Sequence, residues 1–253
     1  MTSTDMDDHQ FAVFAAEAAG ARLLEVREQG LEGRALKDAG DAAAQELLAA
    51  LLGEHRPGDS VLSEEASDDK ARLDADRVWI IDPLDGTREF SEPPRDDWAV
   101  HVALWERSAG DLTAGAVAQP ALGETFNTGT PAQVPPRTSD RPRIAVSRTR
   151  PPAFVEALAA EIDAELVPMG SAGVKVMSVV RDVADAYVHA GGQYQWDNAA
   201  PVVVARASGL HCSRVDGSPL VYNEDDTSLP DLVVCRPELA EEILAFVSRH
   251  GTA

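Results

Sequence analysis

The chain has 253 residues, 44% of them hydrophobic, and carries 43 acidic against 22 basic residues, a formal net charge of −21. That length allows one large domain or two small lobes with a substantial core. The charge excludes a duplex nucleic acid or an anionic membrane surface as partner, because either needs a basic face.

No apolar stretch is long enough to span a bilayer, and Met1 to His9 is acidic and polar without a secretion pattern, so the expected location is the cytoplasm. The cysteines, Cys212 and Cys235, fit buried thiols of a reducing compartment and form no metal-ligand pattern.

In chain order, residues 1–9 read as a tail. Phe11, Phe14, Ala15, Ala18, Leu23 and Leu24 recur at helical spacing and predict a helix from Gln10 to about Gln29. Gly30 to Gly40 reads as a broken loop. A second helix is expected from Ala42 to His55, with Asp41 immediately before it in an N-cap position. A turn at Arg56–Asp59 leads to a short strand, Ser60–Ser63, that ends in Glu64-Glu65. Residues 66–77 are charged and read as helix or loop.

Val78-Trp79-Ile80-Ile81 then runs straight into Asp82-Pro83-Leu84-Asp85-Gly86-Thr87-Arg88-Glu89-Phe90. The apolar run predicts a strand buried on both faces. Pro83 should end its ladder and hold Asp82 and Asp85 on a stiff bend. Gly86 permits close backbone approach, and Thr87 opens a short helix with Glu89 in its first turn. Two carboxylates beside free amides suit Mg²⁺ bound together with a phosphate. An Asp-Pro or Asp-Gly turn alone has a plainer reading, a polar turn after a strand.

Strands follow at Trp98–Trp105, Leu112–Gln119 and Glu124–Thr128, so this half reads as helices on an antiparallel sheet. Thr130 to Pro142, rich in Pro, Thr, Ser and Arg, is the expected linker (130–142) between a lobe at 10–129 and one at 143–253. The second lobe alternates: strand 143–147, helix 152–162, strand 165–169, helix 172–183, strand 184–189, helix from Trp196 to Ser208, strands 210–214 and 232–235, and a terminal helix 238–249. A layered α/β fold follows.

Four acidic places stand at element ends: Asp41, Glu64-Glu65, Asp82 with Asp85, and Asp197. Singly, each has a dull explanation as a cap, a dipole partner or a solvated pair. Their order resembles the lithium-sensitive, Mg²⁺-dependent inositol monophosphatase superfamily, whose pattern is Asp, Glu-Glu, Asp-Pro-Ile/Leu-Asp-Gly-Thr, then Trp-Asp-x-Ala. Here Trp196-Asp197-Asn198-Ala199 completes it, and the likeness covers the chain from about residue 10.

The resemblance implies an α/β fold, α+β layered as an αβαβα sandwich of two lobes. It implies two or three Mg²⁺ held by Glu64, Asp82, Asp85, Asp197 and the Leu84 carbonyl, with Asp41 or Glu65 serving a third ion. Asp41 and Thr87 would activate the attacking water, and the Gly86 and Thr87 amides would hold phosphate. The segment Leu36–Asp41 lacks the Thr of the superfamily's Pro-x-Thr-x-Ala-Asp, which leaves Asp38 as a competitor of Asp41.

Gly170-Ser171-Ala172-Gly173-Val174-Lys175 resembles the segment of 3′(2′),5′-bisphosphate nucleotidases, and it precedes a helix whose N-terminus suits phosphate. Its plain reading is a turn and a surface lysine. His189 stands where inositol phosphatases tend to carry a polyol-binding Glu. Ser147-Arg148-Thr149-Arg150 resembles the nucleotide-side Ser/Thr-Arg segment, or is a basic loop. The stretch Asp82–Phe90 with Arg95–His101 is similar to bacterial sulfur-assimilation nucleotidases, actinobacterial ones above all. These likenesses set Asp85, Gly86, Thr87, Arg88, Ser147, Arg150, Gly170, Ser171, Lys175 and His189 at the substrate. They imply hydrolysis of 3′-phosphoadenosine 5′-phosphate to AMP and phosphate by a homodimer. A broad inositol or fructose bisphosphate phosphatase is the alternative enzyme, and a non-catalytic phosphate or Mg²⁺ sensor the alternative class.

Overall fold

A computed structural model describes residues 6–252. Of the expected tail at 1–9, residues 1–5 lie outside the described residues, and the rest is corrected, because the first helix already begins at Asp8. Asp7 is already ordered as an N-cap: its side chain accepts from the Gln10 amide, and Gln10 returns a bond to the Asp7 amide. Helix α1 (Asp8–Arg27) follows, burying Phe11, Ala15, Ala19, Leu23 and Val26 along one stripe.

Helix α2 runs unbroken from Gly33 to His55, so the expected Gly30–Gly40 loop is corrected. Gly40 is a helical contact, not a breaker. A Cβ there would stand 2.6 Å from Phe90 Cε1 and 3.0 Å from Leu84 Cδ2. Glycine costs about 1 kcal/mol in a helix interior, and here it lets the helix backbone touch the Leu84–Phe90 bend. Asp41 is consequently a mid-helix residue rather than a cap.

The first sheet has five strands: β1 (Ser60–Ser63), β2 (Arg77–Asp85), β3 (Ala99–Glu106), β4 (Asp111–Gln119) and β5 (Glu124–Asn127). They lie in sequence order, β1 parallel to β2 and the rest antiparallel. Strand β2 is buried from Val78 to Asp85, as its apolar run requires. Pro83 does not end it. The pairing with β3 shifts register between Asp82 and Asp85, and the strand resumes beyond this bulge. A single helical turn, α3 (Thr87–Phe90), follows.

The second sheet is β6 (Arg143–Ser147), β7 (Glu165–Met169), β8 (Ala186–Ala190), β9 (His211–Ser213) and β10 (Asp231–Cys235), in the order β7-β6-β8-β10-β9. Its helices are α4 (Ala153–Glu161), α5 (Ala172–Val180), α6 (Gln195–Ala207) and α7 (Pro237–His250). Helix α5 ends three residues before its expected Val183. Asp182 adopts φ 58°, and its carboxylate is held by Arg143 at 2.8 Å and Arg236 at 2.6 Å.

Three cores define the layers. Helices α1 and α2 cover one face of the first sheet, α5 and α6 fill the space between the sheets, and α4 and α7 cover the far face of the second. The result is the expected αβαβα sandwich. Among the described residues no helix is long and apolar enough to cross a membrane.

Candidate active site

The register shift in β2 aims two acids at one place. Asp82 is 1% and Asp85 6% exposed. Asp82 Oδ1 accepts from the Leu84 amide at 3.0 Å, which fixes the bulge. Asp197 enters from the first turn of α6, its Oδ2 accepting from the Tyr194 amide at 2.6 Å. Carboxylate oxygens of Asp82, Asp85 and Asp197 lie within 4.8 Å of one another. Glu64 directly follows β1, its carboxyl close enough to Asp82 and Asp197 for their charges to act on it.

Burial and crowding set the electrostatics. Burial, then the charge of Asp197, pushes Glu64 up to about 7. Burial with the charge of Asp85 pushes Asp197 up to about 6. Asp82 is raised by burial and by Glu64, Asp85 and Asp197. Asp85 goes the other way. Burial pushes it up, but His101, the Ser171 hydroxyl and the Gly173 amide together hold it at about 2. Hard oxygen donors of this number, mutually repelling and partly shielded from water, fit a divalent cation such as Mg²⁺.

Thr87 Oγ1 lies 3.4 Å from Asp41 Oδ1 and 3.2 Å from the Leu84 carbonyl. Burial, then the charge of Glu65, pushes Asp41 up to about 6. Asp38 is exposed and pairs with Arg34 at 3.4 Å, so the competitor named from sequence points elsewhere. One turn on from Asp41, Gln45 accepts from Ser63 Oγ at 2.7 Å, tying α2 to the strand end that carries Glu64 and Glu65.

The α5 turn differs from its sequence reading. Its N-terminal donors are not free for phosphate. Ala172 N reaches Asp85 Oδ1 at 3.0 Å, Gly173 N reaches Oδ2 at 2.5 Å, and Ser171 Oγ also binds this carboxylate. A buried carboxylate at a helix N-terminus is the favourable arrangement. Lys175 is buried, not a surface lysine: Nζ donates to the Ser171 carbonyl at 2.5 Å and lies 5.3 Å from the Tyr187 ring centre. It steadies a turn in which Ser171 has φ 50°. Gly86, at φ 87°, faces this turn, and a Cβ on it would stand 3.0 Å from Ser171 Cβ.

The remaining sequence candidates are more dispersed. His189 Nε2 is 2.5 Å from the Gly191 carbonyl, and burial lowers its pKa. Ser147 Oγ accepts from the Arg150 amide at 3.3 Å, while the Arg150 side chain is exposed. Arg148 turns inward instead, with 2.7 Å bonds to Glu89 and Glu92. Arg88 is at the surface, 3.2 Å from Glu92.

Sequence reasoning passed over His101. It sits fully buried in β3, Nε2 3.2 Å from Asp85 Oδ2 and Nδ1 donating to the Trp196 carbonyl at 3.2 Å. A lone histidine inside an apolar strand directly opposite Asp82 was the available signal. Gly173 packs so tightly on it that a Cβ would collide with the ring and with Asp85.

A sequence profile of the inositol monophosphatase family matches residues 8–252. A protein of Mycobacterium leprae named 3′-phosphoadenosine 5′-phosphate phosphatase is 50% identical, over 96% of this chain and 94% of that one. The protein of that name from Mycobacterium bovis is 52% identical over 91% and 89%. Among solved structures, CysQ from Bacteroides thetaiotaomicron, described as a bacterial member of the inositol monophosphatase family, superposes with a TM-score of 0.76 at 25% identity. It covers 90% of this chain and 97% of that one.

Proposed function

The chain belongs to the inositol monophosphatase family, and from that premise we propose that it is a Mg²⁺-dependent phosphatase releasing the 3′-phosphate of 3′-phosphoadenosine 5′-phosphate to leave AMP. The observation that carries this reading is the buried carboxylate cluster beside the Thr87–Asp41 pair, in a chain half identical to proteins named for that activity.

Glu64, Asp82, Asp85, Asp197 and the Leu84 carbonyl would hold the metal. With Mg²⁺ bound, the site gains Lewis acidity and positive charge against the ester phosphate. The protein's own groups supply the base. A water beside Thr87 gives its proton to Oγ1 as Oγ1 passes its own to Asp41 Oδ1. A carboxylate raised to about 6 is still ionised at neutral pH and is a stronger base than an ordinary one. The water oxygen forms the new bond to phosphorus, the bond to the ribose 3′ oxygen breaks, and that oxygen takes a proton from solvent to leave as the 3′-hydroxyl. No serine or cysteine nucleophile enters. Lys175 fixes the Ser171 turn, and that turn fixes Asp85.

The chain is further proposed to act as a homodimer, to be checked by its mass in solution. The activity is tested by phosphate release from 3′-phosphoadenosine 5′-phosphate. Turnover should vanish with EDTA and return with Mg²⁺. Binding of the nucleotide without release would make the protein a sensor instead.

A further inference from the structure

Tyr194 and Trp196 stand at the edge of the carboxylate cluster with their rings stacked, centroids 4.9 Å apart and planes 14° from parallel. Trp196 is half-buried against the core between the sheets. Tyr194 is 46% exposed, which leaves a large aromatic surface in water. It is nonetheless rigidly placed. Its amide donates to Asp197 Oδ2 at 2.6 Å, and its backbone bridges to Ser228. The next residue, Gln195, is clamped: its Oε1 accepts from the Asn223 amide at 2.7 Å and its Nε2 donates to the Asp226 carbonyl at 3.0 Å. The Trp196 carbonyl is taken by His101.

An exposed ring whose ordering is already provided by its neighbours, one hydrogen bond from an active-site carboxylate, suits a flat apolar ligand group. A nucleotide whose 3′-phosphate lies at the acids has one such group, its base, a ribose away. We propose that Tyr194, backed by Trp196, is the stacking shelf for the purine base of the substrate. The proposal deepens the nucleotidase reading and rests on it.

The shelf acts on binding and not on the water-activating pair, so its loss is read in KM. The test compares 3′-phosphoadenosine 5′-phosphate with ribose 3,5-bisphosphate, which lacks the base, in the intact protein, Tyr194→Ala and Tyr194→Phe. In Tyr194→Ala the ratio of kcat/KM for the nucleotide over the sugar should fall about 5- to 100-fold, through KM, as expected for loss of one base–aromatic stack. Tyr194→Phe keeps the ring and should keep the ratio. An unchanged ratio in Tyr194→Ala, or a parallel loss on both substrates, overturns the proposal, because Tyr194 would then act only through Asp197. Titration with AMP, the reaction product, in the presence of Mg²⁺ and read by tryptophan fluorescence, gives a second answer without turnover. The shelf predicts quenching that weakens in Tyr194→Ala, and equal quenching in both contradicts it. If the intact protein releases no phosphate from the nucleotide, the nucleotidase reading has failed, and the AMP titration still decides the shelf.

Discussion

Asp41 in the middle of α2 and Thr87 at the start of α3, 46 positions apart in sequence, place Oδ1 and Oγ1 3.4 Å from one another. The pair exists because Gly40 lets the helix lie on Phe90 and Leu84. Gly40→Ala should therefore separate them. Better helix propensity gains about 1 kcal/mol, while overpacking costs about 1–3 kcal/mol, so stability should fall by about 0–2 kcal/mol. Turnover should fall at least about tenfold, as a misplaced reacting group does. Thermal melts and kcat measured on the same preparation check both halves.

Asp41→Asn removes the proposed base and should lower kcat by about 10²- to 10⁴-fold. Asp38→Asn, at the surface, should stay within twofold of the parent at roughly unchanged stability. A large loss in Asp38→Asn and none in Asp41→Asn would reassign the base.

Asp85 has two duties, facing the other acids and holding the α5 N-terminus through Ser171, Ala172 and Gly173. Asp85→Asn should thus lose most activity and also about 1–3 kcal/mol of stability, because buried donors lose a charged acceptor. Chemical denaturation with EDTA present separates the structural cost from the metal.

Removing metal should make stability fall as pH rises. Asp41 and Asp197 are pushed up to about 6, Glu64 to about 7, and Asp82 is raised as well. A carboxyl with a raised folded-state pKa contributes stability that is full below its unfolded pKa and lost as pH passes the folded one. His189 and His211, lowered by burial, act oppositely but are fewer. In EDTA the Tm should drop from pH 5 to pH 8, and Mg²⁺ should restore most of it at pH 8. A Tm that climbs over that range in EDTA contradicts the crowding of these acids.

Arg72 is fully buried and joins the segment after Glu65 to the segment beside α6. It bonds Asp68 at 2.6 Å, Asn223 Oδ1 at 2.7 Å and the Glu224 carbonyl at 2.9 Å, and Asn223 in turn holds Gln195. Arg72→Met should cost roughly 2–4 kcal/mol and raise the Mg²⁺ concentration for half-maximal activity, since Glu64 and Asp197 are no longer tied together. A melt and a Mg²⁺ titration are sufficient. Loss of stability with an unchanged Mg²⁺ requirement would limit Arg72 to a structural tie.

Most of the layered fold was legible, because apolar periodicity marks each element well. The convergence of Asp82, Asp85 and Asp197 was legible from their order along the chain. The misses share one cause. Gly40 and Pro83 read as breakers, yet a helix contact and a β-bulge gave them other uses, since tertiary packing overrides local propensity. The α5 turn read as an anion site because a sequence does not say which anion arrives, and here it is Asp85. Arg72, Gln45 and His101 each reach a partner far along the chain, Asn223, Ser63 and Trp196, which no local pattern reveals.

The central claim is tested most directly by kcat/KM for phosphate release, with Mg²⁺, from 3′-phosphoadenosine 5′-phosphate, inositol 1-phosphate and fructose 1,6-bisphosphate. That ratio reports differential transition-state binding. The account predicts a strong preference for the nucleotide, on the order of 10²-fold or more, the scale of losing one or two well-placed contacts. A flat profile, or a preference for inositol 1-phosphate, would contradict it and leave a phosphatase with no nucleotide specificity.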